Sequence, residues 1–257
     1  MNLSLNFLSV AKIATDDYVG FTFFVGCMAM MAASAFFFLS MNNFDKKWRT
    51  SILVSGLITF IAAVHYYYMR DYWATHAYVD GVLSTNPKVL SLASPTFFRY
   101  VDWALTVPLM CVEFFLILKV AGAKKSMMWR LIFLSVIMLV TGYFGEAVYR
   151  DSAWLWGLVS GIAYFVIVYD IWLGEAKKLA EAAGGAVLSA HKTLCWFVLV
   201  GWAIYPLGYM AGTPGWYSFI GDWGLNMDVI YNIGDAVNKI GFGLVVYNLA
   251  LQQQTAE

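Results

Sequence analysis

Two stretches that otherwise suit lipid carry ionisable side chains. RYVDWALTVPLMCVEFFLIL (99–118) holds Asp102 and Glu113, and NMDVIYNIGDAVNKIGFGLVVYNLAL (226–251) holds Asp235 and Lys239. A charge near the bilayer centre costs at least about 2.5–3.5 kcal/mol on insertion scales, so each of these is a functional candidate. Asp235 and Lys239 stand at i and i+4 and share a helix face. A lysine desolvated near mid-span can present a neutral amine and condense with a carbonyl compound as a Schiff base; the alternative is a structural ion pair between helices. Asp102, Thr106 and Glu113 stand at i, i+4 and i+11 on one face, with Arg99 one turn further out. At 1.5 Å per residue Asp102 and Glu113 are about 16 Å apart, half a membrane thickness. The Thr106 hydroxyl, one turn from Asp102, can hydrogen-bond its carboxylate. Such a row of stations suits a proton relay; the alternative is Glu113 as interhelical glue.

The elements that must position these groups are spans. Of 257 residues 61% are hydrophobic, 18% aromatic and 12% charged, and the mean hydropathy is +0.67. That composition belongs to an integral membrane protein. A window of about 20 residues finds seven candidates: 18–41, 50–69, 99–119, 128–149, 152–173, 193–213 and 223–251. The expected fold is an all-α bundle of seven transmembrane helices in one domain, 1–257, with polar or turn-rich connections such as NNFDKKWR, STNPK, GAKKS and MAGTPGW. A net charge of zero argues against a nucleic-acid partner. Cys27, Cys111 and Cys195 lie in apolar runs without metal-ligand spacing and read as small core residues. The opening MNLSLNFLSVAKIATDDY lacks a basic n-region and a clear small-x-small site; it is a poor signal peptide, and a short uncleaved extracellular segment is an equal reading.

Orientation follows from Lys and Arg in the connections. The first-to-second carries Lys46, Lys47 and Arg49, the third-to-fourth Lys119, Lys124, Lys125 and Arg130, and the fifth-to-sixth Lys177, Lys178 and Lys192. The other side has only Lys12, Arg70, Lys88 and Arg150. The N-terminus is therefore expected outside, the C-terminus in the cytoplasm, and the segment 71–97 outside. Asp235, Asp102 and Arg99 then lie on the extracellular side of Lys239, and Glu113 toward the cytoplasm. Lys239 and Arg99 are expected to offset Asp102 and Asp235, whereas Glu113 has no cation on its face, and burial favours its neutral form. Glu146, Asp170 and Asp228 fall near span ends and read as solvated or helix-end groups.

RYVDWALTVPLMCVEF, GWAIYPLGY and MDVIYNIGDAVNK, with HYYYMR and GYFGEA, resemble the microbial rhodopsins and, within them, the proteorhodopsins, over nearly the whole chain. The resemblance implies all-trans retinal on Lys239 as a protonated Schiff base, Asp102 as counterion and proton acceptor, Asp235 as second counterion, Glu113 as cytoplasmic donor, and Arg99 as organiser of charge and water on the extracellular side. It implies Trp103, Trp202, Tyr205 and Pro206 around the retinal; Pro108 and Pro206 inside spans are tolerated in membranes. His65, which taken alone reads as a satisfied core histidine, is implied to hydrogen-bond Asp102. Phe24 stands where some relatives carry a Trp that meets this histidine across protomers, which leaves that link without its partner. Met110 matches a colour-tuning position, where an apolar residue goes with green absorption. Gly157 matches a position where some relatives open a window for a carotenoid antenna; the alternative is close helix packing, favoured by Ser160 and Gly161.

The implied function is a light-driven outward proton pump in a bacterial inner membrane, homo-oligomeric, without a transducer, and a transporter rather than an enzyme. A light sensor of the same fold is the first alternative, and Glu113 argues against it. A pump for another ion is the second; a chloride pump is expected to lose the acidic acceptor, and sodium pumps carry Asn and Gln in this pattern. A retinal-free receptor or transporter is the third.

Overall fold

The structure, a computed structural model, describes residues 14–223 and 226–254. The opening residues 1–13, on which the signal-peptide reading and Lys12 fall, lie outside the described residues. The element order is α1 (Tyr18–Ser40), α2 (Lys46–His76), β1 (Tyr78–Val79), β2 (Val82–Leu83), α3 (Pro87–Ala93), α4 (Thr96–Leu118), α5 (Lys125–Tyr143), α6 (Ala153–Trp172), α7 (Glu175–Ala183), α8 (Gly185–Trp196), α9 (Ile204–Gly212) and α10 (Met227–Gln254). Among the described residues seven stretches are long and apolar enough to cross a membrane, and each overlaps one expected from the sequence.

Their boundaries differ from expectation. The second span runs Lys46–His76 rather than 50–69, and the sixth begins at Gly185 rather than 193. An apolar window ends where side chains turn polar, but the backbone keeps its helical hydrogen bonds into the interface. The segment 71–97 is accordingly ordered. After α2, Asp80 and Gly81 take positive φ (52° and 79°) and close a two-residue hairpin that pairs Tyr78 with Leu83. Asn86 then caps α3 by accepting from the Lys88 amide at 3.0 Å, with Pro87 in the first turn, where its missing N–H is no loss. Asp17 ties this end together: its carboxylate accepts from the Gly20 amide (2.8 Å), the Trp73 indole (3.0 Å) and the Tyr78 hydroxyl (2.9 Å).

The bundle is apolar outward and charged inward. Phe133 and Phe165 are each 65% exposed, while Asp102 and Glu113 are 0% and Lys239 3% exposed. That inversion fits a molecule surrounded by lipid. α10 packs against α1, α2, α8 and α9, and α4 against α2, α5, α7 and α8. All three cysteines are buried and free.

Candidate functional site

Lys239 sits where α10 faces α4. Its Nζ donates to Asp235 Oδ2 at 2.6 Å, one turn earlier on the same helix, and to Asp102 Oδ2 across the interface. The two carboxylates differ in their support. Asp235 Oδ1 accepts from the Tyr205 hydroxyl (2.9 Å) and the Trp103 indole (3.3 Å). Asp102 Oδ1 is buried with no hydrogen-bond partner among the described residues. Asp102 thus depends on the lysine, whereas Asp235 is fixed by two further donors.

Expected pairings of Thr106 and Arg99 are corrected. Thr106 Oγ donates to the main-chain carbonyl of Asp102 at 2.9 Å, not to its carboxylate; a helical threonine reaches the carbonyl four residues back without leaving its rotamer. Arg99 does not offset Asp102 or Asp235. Its Nη2 donates to Asp228 Oδ1 at 3.0 Å and Asn232 Oδ1 at 3.3 Å, and its guanidinium lies 4.9 Å from the Tyr231 ring centre. Lys239 already occupies the inner carboxylates, so the arginine pairs one level outward. Ser94 also donates to Asp228, at 2.8 Å. Asp228 is therefore a specific partner rather than a solvated helix end. Glu146 accepts from the Tyr100 hydroxyl at 2.8 Å, and Asp170 is gripped by Arg130 at 2.8 and 3.0 Å.

Eleven residues beyond Asp102 on α4, Glu113 is fully buried and forms no ion pair among the described residues. Oε1 accepts from the Ser55 hydroxyl of α2, and Oε2 has no hydrogen-bond partner among the described residues. The sequence reading missed Ser55. Its signal was the recurrence Ser51, Ser55, Thr59 at every fourth residue of an apolar span.

A sequence profile of the family described as bacteriorhodopsin-like proteins matches residues 17–253. The chain belongs to the bacteriorhodopsin-like family. Among its relatives, the green-light absorbing proteorhodopsin of Gamma-proteobacterium EBAC31A08 is 40% identical over 243 residues, covering 93% of this chain and 89% of that one. The blue-light absorbing proteorhodopsin of Gamma-proteobacterium Hot 75m4 is 39% identical, with the same coverage of each. Among solved structures, xanthorhodopsin, described as a light-driven ion pump with dual chromophore, superposes with a TM-score of 0.77 at 29% identity, covering 94% of this chain and 96% of that one. A blue light-absorbing proteorhodopsin from Med12 gives 0.71 at 37% identity, covering 92% and 100%. This bacteriorhodopsin-like chain is a multi-pass membrane protein.

The remaining site residues divide into those the fold gathers and those it does not. Trp103, Trp202 and Met110 are buried within one core cluster, and Tyr205 packs against it. Trp103 meets Tyr205 edge-on at 4.7 Å, and Tyr205 stacks on Tyr231 at 6.0 Å. Pro206 is half-buried in α9. His65 is half-buried, and its Nδ1 bonds the Ile61 carbonyl of its own helix at 2.8 Å; its hydrogen bond does not go to Asp102. Phe24 is 37% exposed and lies 5.9 Å from the Arg70 guanidinium. Gly157 lies beneath Tyr209, where an added Cβ would come within 2.7 Å of the ring, and a Cβ at Gly145 would meet the Tyr209 hydroxyl at 1.8 Å. Both glycines thus admit the Tyr209 ring, as close packing requires.

Proposed function

We propose that this chain is a light-driven outward proton pump that carries all-trans retinal on Lys239. The observation behind this reading is the pair of carboxylates, Asp102 and Asp235, clasping a buried lysine, with a third acid, Glu113, isolated toward the other end of α4. The residues fit the chromophore: a buried amine, an orphaned carboxylate oxygen at Asp102, and an aromatic wall of Trp103, Trp202 and Tyr205. When bound, retinal supplies a light-driven isomerisation that alters the direction and basicity of the Lys239 nitrogen. Asp102 is the base that takes the proton, because among the described residues Lys239 is the cation that pairs with it, and its charge is uncompensated once that cation is lost. Asp235 keeps its place, held by Tyr205 and Trp103. Glu113 returns a proton to the nitrogen from the other side, and Ser55 orients its carboxyl.

Direction follows from the loop charges. The Lys and Arg of the odd-numbered connections lie at the bundle end away from the hairpin, which supports a cytoplasmic place for that end and for Glu113, which lies nearest it. An anionic acceptor argues against chloride as cargo. Cells making the protein with retinal in unbuffered medium acidify that medium on illumination, and a protonophore abolishes the change; alkalinisation or no change overturns the reading. Glu113→Gln leaves the loss of the proton from Lys239 intact and slows its return by about 100-fold, the contribution of one positioned acid. Unchanged recovery after a flash removes Glu113 from the donor role. The membrane is proposed to be a bacterial inner membrane, with second copies of the chain as neighbours.

A carotenoid antenna beside Gly157 is the finer proposal for the cofactor set. Its basis is the half-exposed glycine on a lipid-facing helix, next to Leu158 and Ile162, which point outward. Hydroxylated carotenoids added to the purified pigment should give excitation bands that drive retinal emission and vanish in Gly157→Trp. Absence of transfer leaves Gly157 as the seat of Tyr209.

A further inference from the structure

Between α8 and α9 the sixth span widens into a π-helical turn, Phe197–Gly201, followed by the turn residues Trp202 and Ala203. Pro206, four residues after Trp202, has no amide to offer the Trp202 carbonyl. A π-turn beside a proline is a hinge, because carbonyls there lose their regular partners. Side chains of both neighbouring spans take up these carbonyls. Tyr164 on α6 donates to Val198 O at 3.1 Å and Leu199 O at 2.9 Å. Asn238 on α10 donates to Gly201 O at 3.0 Å. Asn238 is buried and adjoins Lys239 in the chain. The fit at Gly201 leaves no slack, since an added Cβ would fall 1.9 Å from Asn238 Oδ1.

The half of the bundle that the hinge controls is closely packed with apolar side chains. Phe114, which follows Glu113, is wedged between His191 (5.9 Å) and Phe242 (5.6 Å). Leu194, Val198 and Val246 are fully buried beside them. A proton cannot travel from Glu113 to the Lys239 nitrogen through such packing without water, and α8, which carries His191 and Leu194, is the piece whose swing would admit it.

We infer that Tyr164 and Asn238 are positioning residues for the proton-return step: they latch the hinge of the sixth span to α6 and α10, and release of the latch opens the path to Glu113. The inference rests on the pump reading. Asn238 couples the latch to the reacting nitrogen, because any shift of the α10 backbone at Lys239 pulls on the Gly201 bond. The latch stabilises the closed form, so removing it lowers the cost of opening.

Two variants of the full chain test this. Tyr164→Phe removes only a hydroxyl, and Asn238→Leu replaces the amide with a group of similar size. In the dark, amide hydrogen exchange should rise about fivefold over 198–205, the equivalent of one hydrogen bond, with the rest of the bundle unchanged. After a flash, proton return should quicken by about the same factor, while proton loss and the absorption maximum stay as in the parent. Exchange that is unchanged, or that rises evenly along all spans, overturns the latch. Local exchange with an unaltered return rate in a parent that pumps overturns its role in proton return. A parent that moves no protons overturns the pump reading instead, and the exchange data still decide the latch.

Discussion

Lys239→Ala folds into the membrane and stays colourless with added retinal, whereas the parent chain develops a band in the green. The effect is complete loss, because the expected covalent link has no substitute: among the described residues Lys239 is the lysine that lies buried near mid-span, and its amine is already aimed between Asp102 and Asp235. The substitution also leaves two carboxylates buried without their cation. Breaking a buried pair by removing one partner costs about 3–5 kcal/mol. A colourless Lys239→Ala could therefore reflect instability alone. The double variant Lys239→Ala with Asp102→Asn removes one of the stranded charges; it should recover thermal stability and remain colourless. An absorption spectrum and a thermal melt check both points. A normal visible band in either variant sinks the assignment of the lysine.

Asp102→Asn retains its shape and still takes up retinal but stops pumping. The amide cannot hold a proton from the Lys239 nitrogen, and loss of a positioned base slows such transfers by about 100- to 10,000-fold. Light-driven acidification by cells should fall at least about a hundredfold. The band should move to the red, because one of the two anions that pin the positive charge at the nitrogen is gone, leaving Asp235 alone. For the same reason the parent should redden when acid protonates Asp102. Acidification that persists in Asp102→Asn means another group accepts the proton. The contrast with Asp235 is informative: Asp235→Asn breaks the arrangement held by Tyr205 and Trp103, and so perturbs the whole pocket rather than a single transfer.

Much of this was written in the chain itself. Lipid makes every charge expensive, so four ionisable residues in two apolar stretches stood out, and a period of 3.6 put Asp102 and Glu113 on one stripe and Asp235 beside Lys239. These are local properties of a helix, and the seven spans are local too. Which group meets which across helices is not local, because it depends on the rotation and offset of each helix against its neighbours. Only the packed bundle turned Arg99 to Asp228 and away from Asp102. Only packing brought Ser55 of α2 to Glu113, and placed Tyr164 and Asn238 on a break in the sixth span that no hydrophobic window registers. The Thr106 hydroxyl shows the same limit at short range: spacing allowed the carboxylate or the carbonyl of Asp102, and the rotamer imposed by the helix chose the carbonyl.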